Sequence, residues 1–221
     1  MKKMFALISI TVAAMAAAPA RADDSGFTLA LRAGYGIPMG DILVDQGVAE
    51  SLSDNISGTI PLWIDVGYRI NKAVLVGAYF QYGIGLVNES TAFGGACQLG
   101  ASCSAYNMRF GIEGIYNFSP DASFAPWAGL GVGYEIANLS AEFAGQKASG
   151  TVRGFEYVNL QVGGDYKVSP TFSVGPYVAF SLAQFSEQDV EIPGQPTLSG
   201  SIPETAMHEW LQLGVKGTFN F

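Results

Sequence analysis

The feature that most constrains this chain is a two-residue alternation of apolar side chains that recurs along most of its length. The segment LQLGVKGTFNF, for example, carries an apolar residue at nearly every second position. Because successive side chains of a β-strand point to opposite faces, this period predicts strands rather than helices. The predicted strands span residues 27–35, 59–70, 73–85, 105–118, 122–136, 154–168, 171–185 and 208–221. The sequence therefore predicts an all-β protein of eight strands.

The composition differs from that of a soluble domain. In each predicted strand, the residues at every second position form one phase, and the two phases point to opposite faces. Hydrophobic residues make up 49% of the sequence and charged residues only 14%, whereas a soluble domain carries about 25% charged residues. Beyond the first 22 residues, no run of roughly 18 uncharged apolar residues offers a transmembrane helix. Alternation reconciles the two observations, since a strand that is apolar on one face only is rich in hydrophobics without forming a long apolar block.

A soluble eight-stranded barrel of the lipocalin kind would show the same alternation with its apolar phase turned inward. The second phase argues against that arrangement, because it has many glycines and few charges and would make a poor water-facing surface. Its bulky aromatic residues are Trp63, Trp127, Trp210, Tyr79 and Tyr177. We therefore expect the apolar phase to face lipid and the second phase to fill a lumen.

The connections between the predicted strands alternate strictly between short and long. The short ones lie at residues 70–73, 119–121 and 169–170, and the long ones at residues 36–58, 86–104, 137–153 and 186–207. Outer-membrane barrels have short periplasmic turns and longer external loops. The pattern thus predicts an eight-stranded antiparallel up-and-down transmembrane β-barrel whose long loops face outward from the cell.

The first residues predict export. Lys2 and Lys3 precede an apolar run that is too short to span a bilayer, and an Ala-Arg-Ala pattern ends at Ala22. This arrangement is typical of a cleavable signal peptide. We expect a signal peptide at residues 1–22, an outer-membrane β-barrel domain at residues 23–221, and a location in the cell outer membrane.

Taken together, the signal peptide, the eight alternating strands and the aromatic ending Phe219-Asn220-Phe221 resemble the small outer-membrane barrels of the outer membrane protein A/X type. The resemblance covers essentially the whole mature chain. It implies that Phe219 and Phe221 form the signal read by the barrel-assembly machinery. It further implies a monomer whose surroundings are outer-membrane lipid and lipopolysaccharide.

The candidate functional residues lie in the lumen phase. Its predicted polar network consists of Arg32, Asp65, Arg109, Glu113, Asp165 and Lys216. Charges of both signs inside a narrow barrel can pair, and a buried unpaired charge is expensive. Since eight strands leave an interior that side chains can fill, we expect a plugged lumen and a structural or surface-interaction role. The alternative is a narrow channel or a barrel that binds a small ligand.

Two prolines qualify the assignment of faces. Pro126 and Pro176 fall within predicted strands, where a missing N–H removes a ladder hydrogen bond unless it lies at a bulge or a strand end. The inward and outward phases beyond either proline could therefore shift by one residue.

A lipid-modifying outer-membrane enzyme is a further alternative, and it needs a base and a nucleophile within hydrogen-bond reach. The chain has one histidine, His208, and the histidine-x-serine arrangement of the lipid-acting barrel families is absent, because residue 210 is Trp210. Alternation places His208 toward the rim of the lumen as a polar residue at the loop edge. We expect no catalytic residues and no cofactor.

The loops carry the remaining signals. Cys97 and Cys103 lack the further Cys or His ligands of a metal site, so we expect a disulfide in this exported chain. The first and last long loops are acidic and contain no basic residue, which disfavours nucleic acid as a partner and favours divalent cations at the loops. The candidate cation ligands are Asp41, Asp45, Asp54, Glu187, Asp189 and Glu191.

Overall fold

A computed structural model describes residues 25–45 and 48–221. The expected signal peptide, residues 1–22, lies outside the described part. Eight long strands and two short ones are present in that part. In chain order they are β1 (Gly26–Asp45), β2 (Val48–Ser51), β3 (Ile56–Arg69), β4 (Val74–Val87), β5 (Ser102–Asn117), β6 (Phe124–Phe143), β7 (Gln146–Lys167), β8 (Phe172–Glu191), β9 (Leu198–Ser201) and β10 (Met207–Asn220).

The eight long strands form a closed antiparallel ring, which confirms the predicted fold class. Each pairs with its neighbour in the chain, and β10 pairs with both β8 and β1, so the sheet has no free edge at the level of the ring. The short strands β2 and β9 extend β1 and β8 at the end of the barrel that carries the long connections. We call this end the loop end and the opposite end the turn end. In the described part of the chain, no helix is long or apolar enough to cross a membrane.

The two faces of each strand have opposite chemistry. On β3, Leu62 and Ile64 are 48% and 47% exposed, while Trp63 and Asp65 are 1% and 5% exposed. The same alternation continues around the ring, with apolar side chains outside and polar or bulky aromatic side chains inside. A soluble barrel has the reverse arrangement. The prediction of a lipid-facing apolar phase is therefore confirmed.

The strands extend further toward the loop end than the sequence pattern predicted. Residues 137–153, predicted to be a loop, form a hairpin in which β6 and β7 remain paired as far as Phe143 and Gln146, around a turn at Ala144-Gly145 with positive φ. Similarly, β1 runs to Asp45. Above the bilayer both faces of a strand can be polar, so the alternation disappears although the backbone ladder continues.

A bulge in β7, rather than either proline, shifts the phase of a strand. Both prolines lie in β6 and β8 without changing which residues face inward. In β7, Tyr157 is an extra residue between two paired positions, and the register shifts there against both neighbours. Consequently Glu156 and Asn159, three positions apart, both point into the lumen and are fully buried.

An apolar cap closes the loop end. Leu52, in a single helical turn of the first loop, and Ile202, beyond β9, are buried against Trp210 and Phe185. A bridge between Leu43 and the last loop connects the two loops. The second loop contains the expected disulfide between its two cysteines. The loop end is thus built from packed segments.

Candidate functional site: the barrel lumen

The first of two buried arginine clusters is centred on Arg32 of β1. Its Nε donates to Asp65 Oδ2 at 2.6 Å, its Nη1 to Gln161 Oε1 at 2.5 Å, and its Nη2 to Glu113 Oε2 at 3.4 Å. Gln161 in turn donates to the same Glu113 oxygen at 2.9 Å. The guanidinium group also lies 5.0 Å from the ring centre of Trp63. One cation therefore connects strands on different walls of the barrel.

The second cluster is centred on Arg109 of β5, nearer to the loop end. Its Nη1 donates to Glu156 Oε1 at 3.0 Å and to Ser181 Oγ at 2.5 Å, and its Nη2 donates to Gln81. Tyr79 donates to the other oxygen of Glu156. A buried charge in this arrangement makes several charge-assisted hydrogen bonds, which offset the free-energy cost of its desolvation.

Trp63 joins the two clusters. The Arg109 guanidinium lies 5.5 Å from the Trp63 ring centre, so this indole contacts both arginines. It stacks on Tyr79 with ring centres 5.4 Å apart. Its Nε1 donates to Gln212 at 3.1 Å, and Gln212 donates to Gln81 of the second cluster at 3.0 Å. We call the two clusters together with Trp63 the plug.

A third polar group lies between the plug and the cap. Glu135 accepts hydrogen bonds from Trp210 at 2.9 Å and Asn107 at 3.3 Å, and it lies 3.1 Å from His208 Nε2. His208 is fully buried and stacks on Phe185 with ring centres 4.0 Å apart. His208 lies on the lumen side at the start of β10, as alternation predicts, but it is fully buried and not exposed at the loop edge.

The turn end holds a further ion pair, between two residues of the predicted polar network. Lys216 Nζ lies 3.4 Å from Asp165 Oδ2 and 3.7 Å from the ring centre of Trp127. Trp127 donates to Asp165 Oδ1 at 2.9 Å. Beyond this pair the lumen widens into a cavity of about 320 Å³ that opens at the turn end. We call this cavity the vestibule.

All six predicted network residues are buried in the lumen, but the buried carboxylate of Glu156 was assigned to the wrong face. The structure places Glu113 beside Arg32, and Arg109 pairs instead with Glu156. Alternation assigns Glu156 to the lipid face because it shares the phase of Val158. A glutamate among otherwise apolar outward positions was the signal that could have indicated the bulge.

The candidate cation ligands do not converge. Arg153, the last residue of the third predicted long loop and part of β7 in the structure, pairs with Asp189 and lies 3.9 Å from Glu187. Glu191 accepts a hydrogen bond from Ser149. Across residues 25–45 and 48–221, no three His, Cys, Asp or Glu side chains are grouped so as to hold a metal ion. The further candidates are Asp41 and Asp54, in the first loop, and Asp45, which ends β1 and whose side chain lies outside the described part.

A closed ring with an apolar exterior and a buried, charged interior defines an integral outer-membrane β-barrel. No family model and no curated protein sequence matches the chain. Solved structures do match it. The outer membrane protein OprG from Pseudomonas aeruginosa is 11% identical with a TM-score of 0.55, over 90% of this chain and 98% of that one. A major outer membrane protein from Thermus thermophilus is 13% identical with a TM-score of 0.53, over 88% and 99%. The fold is that of these small outer-membrane barrels.

Proposed function

We propose that this barrel is closed to ions and has a structural or surface-interaction role in the outer membrane. The observation that carries the proposal is a set of hydrogen bonds that cross the lumen. Arg32 of β1 reaches Gln161 of β7, Arg109 of β5 reaches Ser181 of β8, and both partners stand three strands away around the eight-stranded ring. With Trp63 between the clusters, the plug occupies the width of the barrel.

Conductance tests the closed state. Purified wild-type protein in planar lipid bilayers is expected to be nearly silent, because ions would have to pass both the plug and the apolar cap. Steady ohmic conductance on the nanosiemens scale would refute a closed barrel and support the channel alternative. A variant in which Leu52 and Ile202 are both replaced by serine serves as the control: it loosens the cap alone and is expected to remain silent.

We propose further that the barrel is not an enzyme. His208, the only histidine in the chain, has Glu135 on its Nε2 and Phe185 on its ring face, and within the described residues its Nδ1 has no hydrogen-bond partner. A histidine base needs a nucleophile within hydrogen-bond reach and a path for substrate. Unchanged lipid composition in a deletion strain supports this proposal, while an acyl-chain change that a His208→Gln copy fails to complement contradicts it.

The loop end supports a surface-interaction role. Leu99, Phe143 and Leu198 are 82%, 64% and 60% exposed at the tips of three different connections. Outer-membrane lipid and lipopolysaccharide are the proposed surroundings, and divalent cations would bridge the loop acids to lipopolysaccharide phosphates. Replacing these three residues by serine is expected to weaken adsorption of the folded barrel to lipopolysaccharide monolayers. If the replacement leaves adsorption unchanged, the apolar contact with lipopolysaccharide is contradicted. If a chelator leaves adsorption unchanged, the divalent-cation bridge is contradicted.

We also retain the assembly proposal for the end of the chain. Phe219 packs against Phe172 with ring centres 4.8 Å apart, and the backbone N–H of Phe221 donates to Phe27. Both aromatics therefore lie at the seam where β10 closes the ring. Replacing both by alanine is expected to slow membrane assembly in cells more than spontaneous refolding into vesicles. An equal effect on the two processes would argue against recognition by the assembly machinery.

A further inference from the structure

The vestibule at the turn end is a lumen space that the plug does not fill. Its volume of about 320 Å³ is at the lower end of the range for small-ligand pockets. Because it opens at the turn end, which faces the periplasm in outer-membrane barrels, a ligand would enter from inside the cell envelope. Its floor and its rim have different chemistry.

The floor presents two carboxylate oxygens that lack donors. Asp65 Oδ1 and Glu113 Oε1 are buried, and neither accepts a hydrogen bond from any residue that the structure describes. The other oxygen of each carboxylate is already bound by Arg32. Both residues are only 5% exposed, and both line the vestibule. Since a buried acceptor without a donor is destabilising, the floor favours a ligand that brings N–H donors.

The charges of the side chains at the floor indicate which kind of N–H donor the ligand would bring. Three carboxylates, Asp65, Glu113 and Asp165, stand at or beside the floor against two cations, Arg32 and Lys216. This difference leaves one net negative charge at the floor, which an ammonium group would neutralise. The described residues offer no group of three or more metal-ligating acids or histidines, and two cations already stand beside these oxygens. An organic ammonium fits this environment better than a metal ion.

The rim has the opposite sign. Arg69, Lys72 and Lys167 line it together with a single acid, Asp121. Lys72 Nζ lies 3.1 Å from Asp121, and Lys167 Nζ donates to the Pro120 carbonyl at 2.6 Å. Among the described residues, Arg69 and Lys167 thus stand at the rim beside the Lys72–Asp121 ion pair, so the rim favours an anionic group.

Strand geometry sets the distance between the two ends of such a ligand. Asp65 and Arg69 are four residues apart on β3, and Asp165 and Lys167 are two residues apart on β7. At about 3.3 Å per residue these separations are roughly 13 and 7 Å. We propose that the vestibule binds a small zwitterion of the short-peptide class, with its ammonium at Asp65 and Glu113 and its carboxylate at the basic rim.

The test uses folded full-length mature protein in detergent micelles and follows backbone amide NMR shifts. Triglycine, with both termini free, is the probe, and N-acetyltriglycine and triglycine amide each lack one charged end. Triglycine is expected to give saturable shifts confined to the turn end. Each blocked peptide is expected to bind at least about tenfold more weakly, because it loses one charge-assisted interaction.

Three variants locate the site. Glu113→Gln removes a floor charge, and Lys167→Gln removes a rim charge that lies outside the plug, so that the test survives if the first variant folds poorly. Both are expected to weaken triglycine binding, while Lys147→Gln, an exposed base at the loop end, is expected to leave it unchanged. The proposal is overturned if triglycine gives no saturable shift, if the three peptides bind equally, if the shifts lie at the loop end, or if Lys167→Gln binds as the wild type does.

Discussion

Replacing Arg32 by alanine should be among the most destabilising single substitutions in the chain. The change removes the donor to both Asp65 and Glu113 and leaves two buried carboxylates facing one another across the lumen. It also removes the cation that lies 5.0 to 5.6 Å from the ring centres of Trp63, Trp127 and Tyr177. Breaking a buried ion pair by deleting one partner costs about 3–5 kcal/mol.

The free energy of unfolding should be measured by urea titration of the protein refolded into lipid vesicles, with tryptophan fluorescence as the signal. A triple variant, Arg32→Met with Asp65→Asn and Glu113→Gln, separates stranded charge from lost packing. It should recover most of the loss, since neutral replacement of a whole buried network is often tolerated. Lys147→Ala is the matched control and should stay within about 0.5 kcal/mol of the wild type.

Two outcomes would refute this reasoning. One is a free energy of unfolding for Arg32→Ala within about 1 kcal/mol of the wild-type value. In that case water solvates the carboxylates, and their ion pairs with Arg32 stabilise the barrel no more than surface ion pairs do. If the triple variant is as unstable as the single one, the loss arises from the missing side-chain volume and its aromatic contacts, and the charges of the plug are incidental.

Three further predictions concern the loop end and β7. Protease added to intact cells should cut the β6–β7 connection only near Gly145, because the rest of that hairpin is paired; cleavage at the short turns instead would invert the topology. Replacing Cys97 and Cys103 by serine should destabilise the second loop by about 2 kcal/mol, from the entropy of a seven-residue loop, and so increase its proteolysis; full thiol labelling of the unreduced, denatured wild type would exclude the bond. Deleting Tyr157 should destabilise the barrel by about 3 kcal/mol or more, because either Glu156 or its neighbours must then change faces; a urea midpoint unchanged by the deletion would show that the bulge is not needed.

The sequence was sufficient to predict the ring of strands and most of the residues that face the lumen. Alternation alone assigns Arg32 and Asp65 to the inner face of neighbouring strands, because the period of two is enforced wherever one face meets lipid and the other does not. The prediction of a filled interior follows from the same phase and from the bulk of Trp63. These inferences need only local pattern and strand count.

Other features depend on information that the pattern does not contain. Glu113 meets Arg32 from three strands away, which requires the stagger of the closed ring. Glu156 faces inward because of one extra residue, and no propensity distinguishes that residue from its neighbours. The depth of His208 depends on Leu52 and Ile202, whose packing over the mouth arises from loops without periodicity.

With the apolar cap at the loop end, the vestibule opens only at the turn end in the described part of the chain. In a barrel that is closed as we propose, the cap and the plug would separate the vestibule from the cell exterior, and the vestibule would exchange solutes only with the periplasm. A cysteine that replaces Ser173, which lines the vestibule, would therefore not react with a membrane-impermeant thiol reagent on intact cells. It would react once that reagent had crossed the outer membrane by another route. Labelling of this variant would therefore report a loss of the outer-membrane permeability barrier.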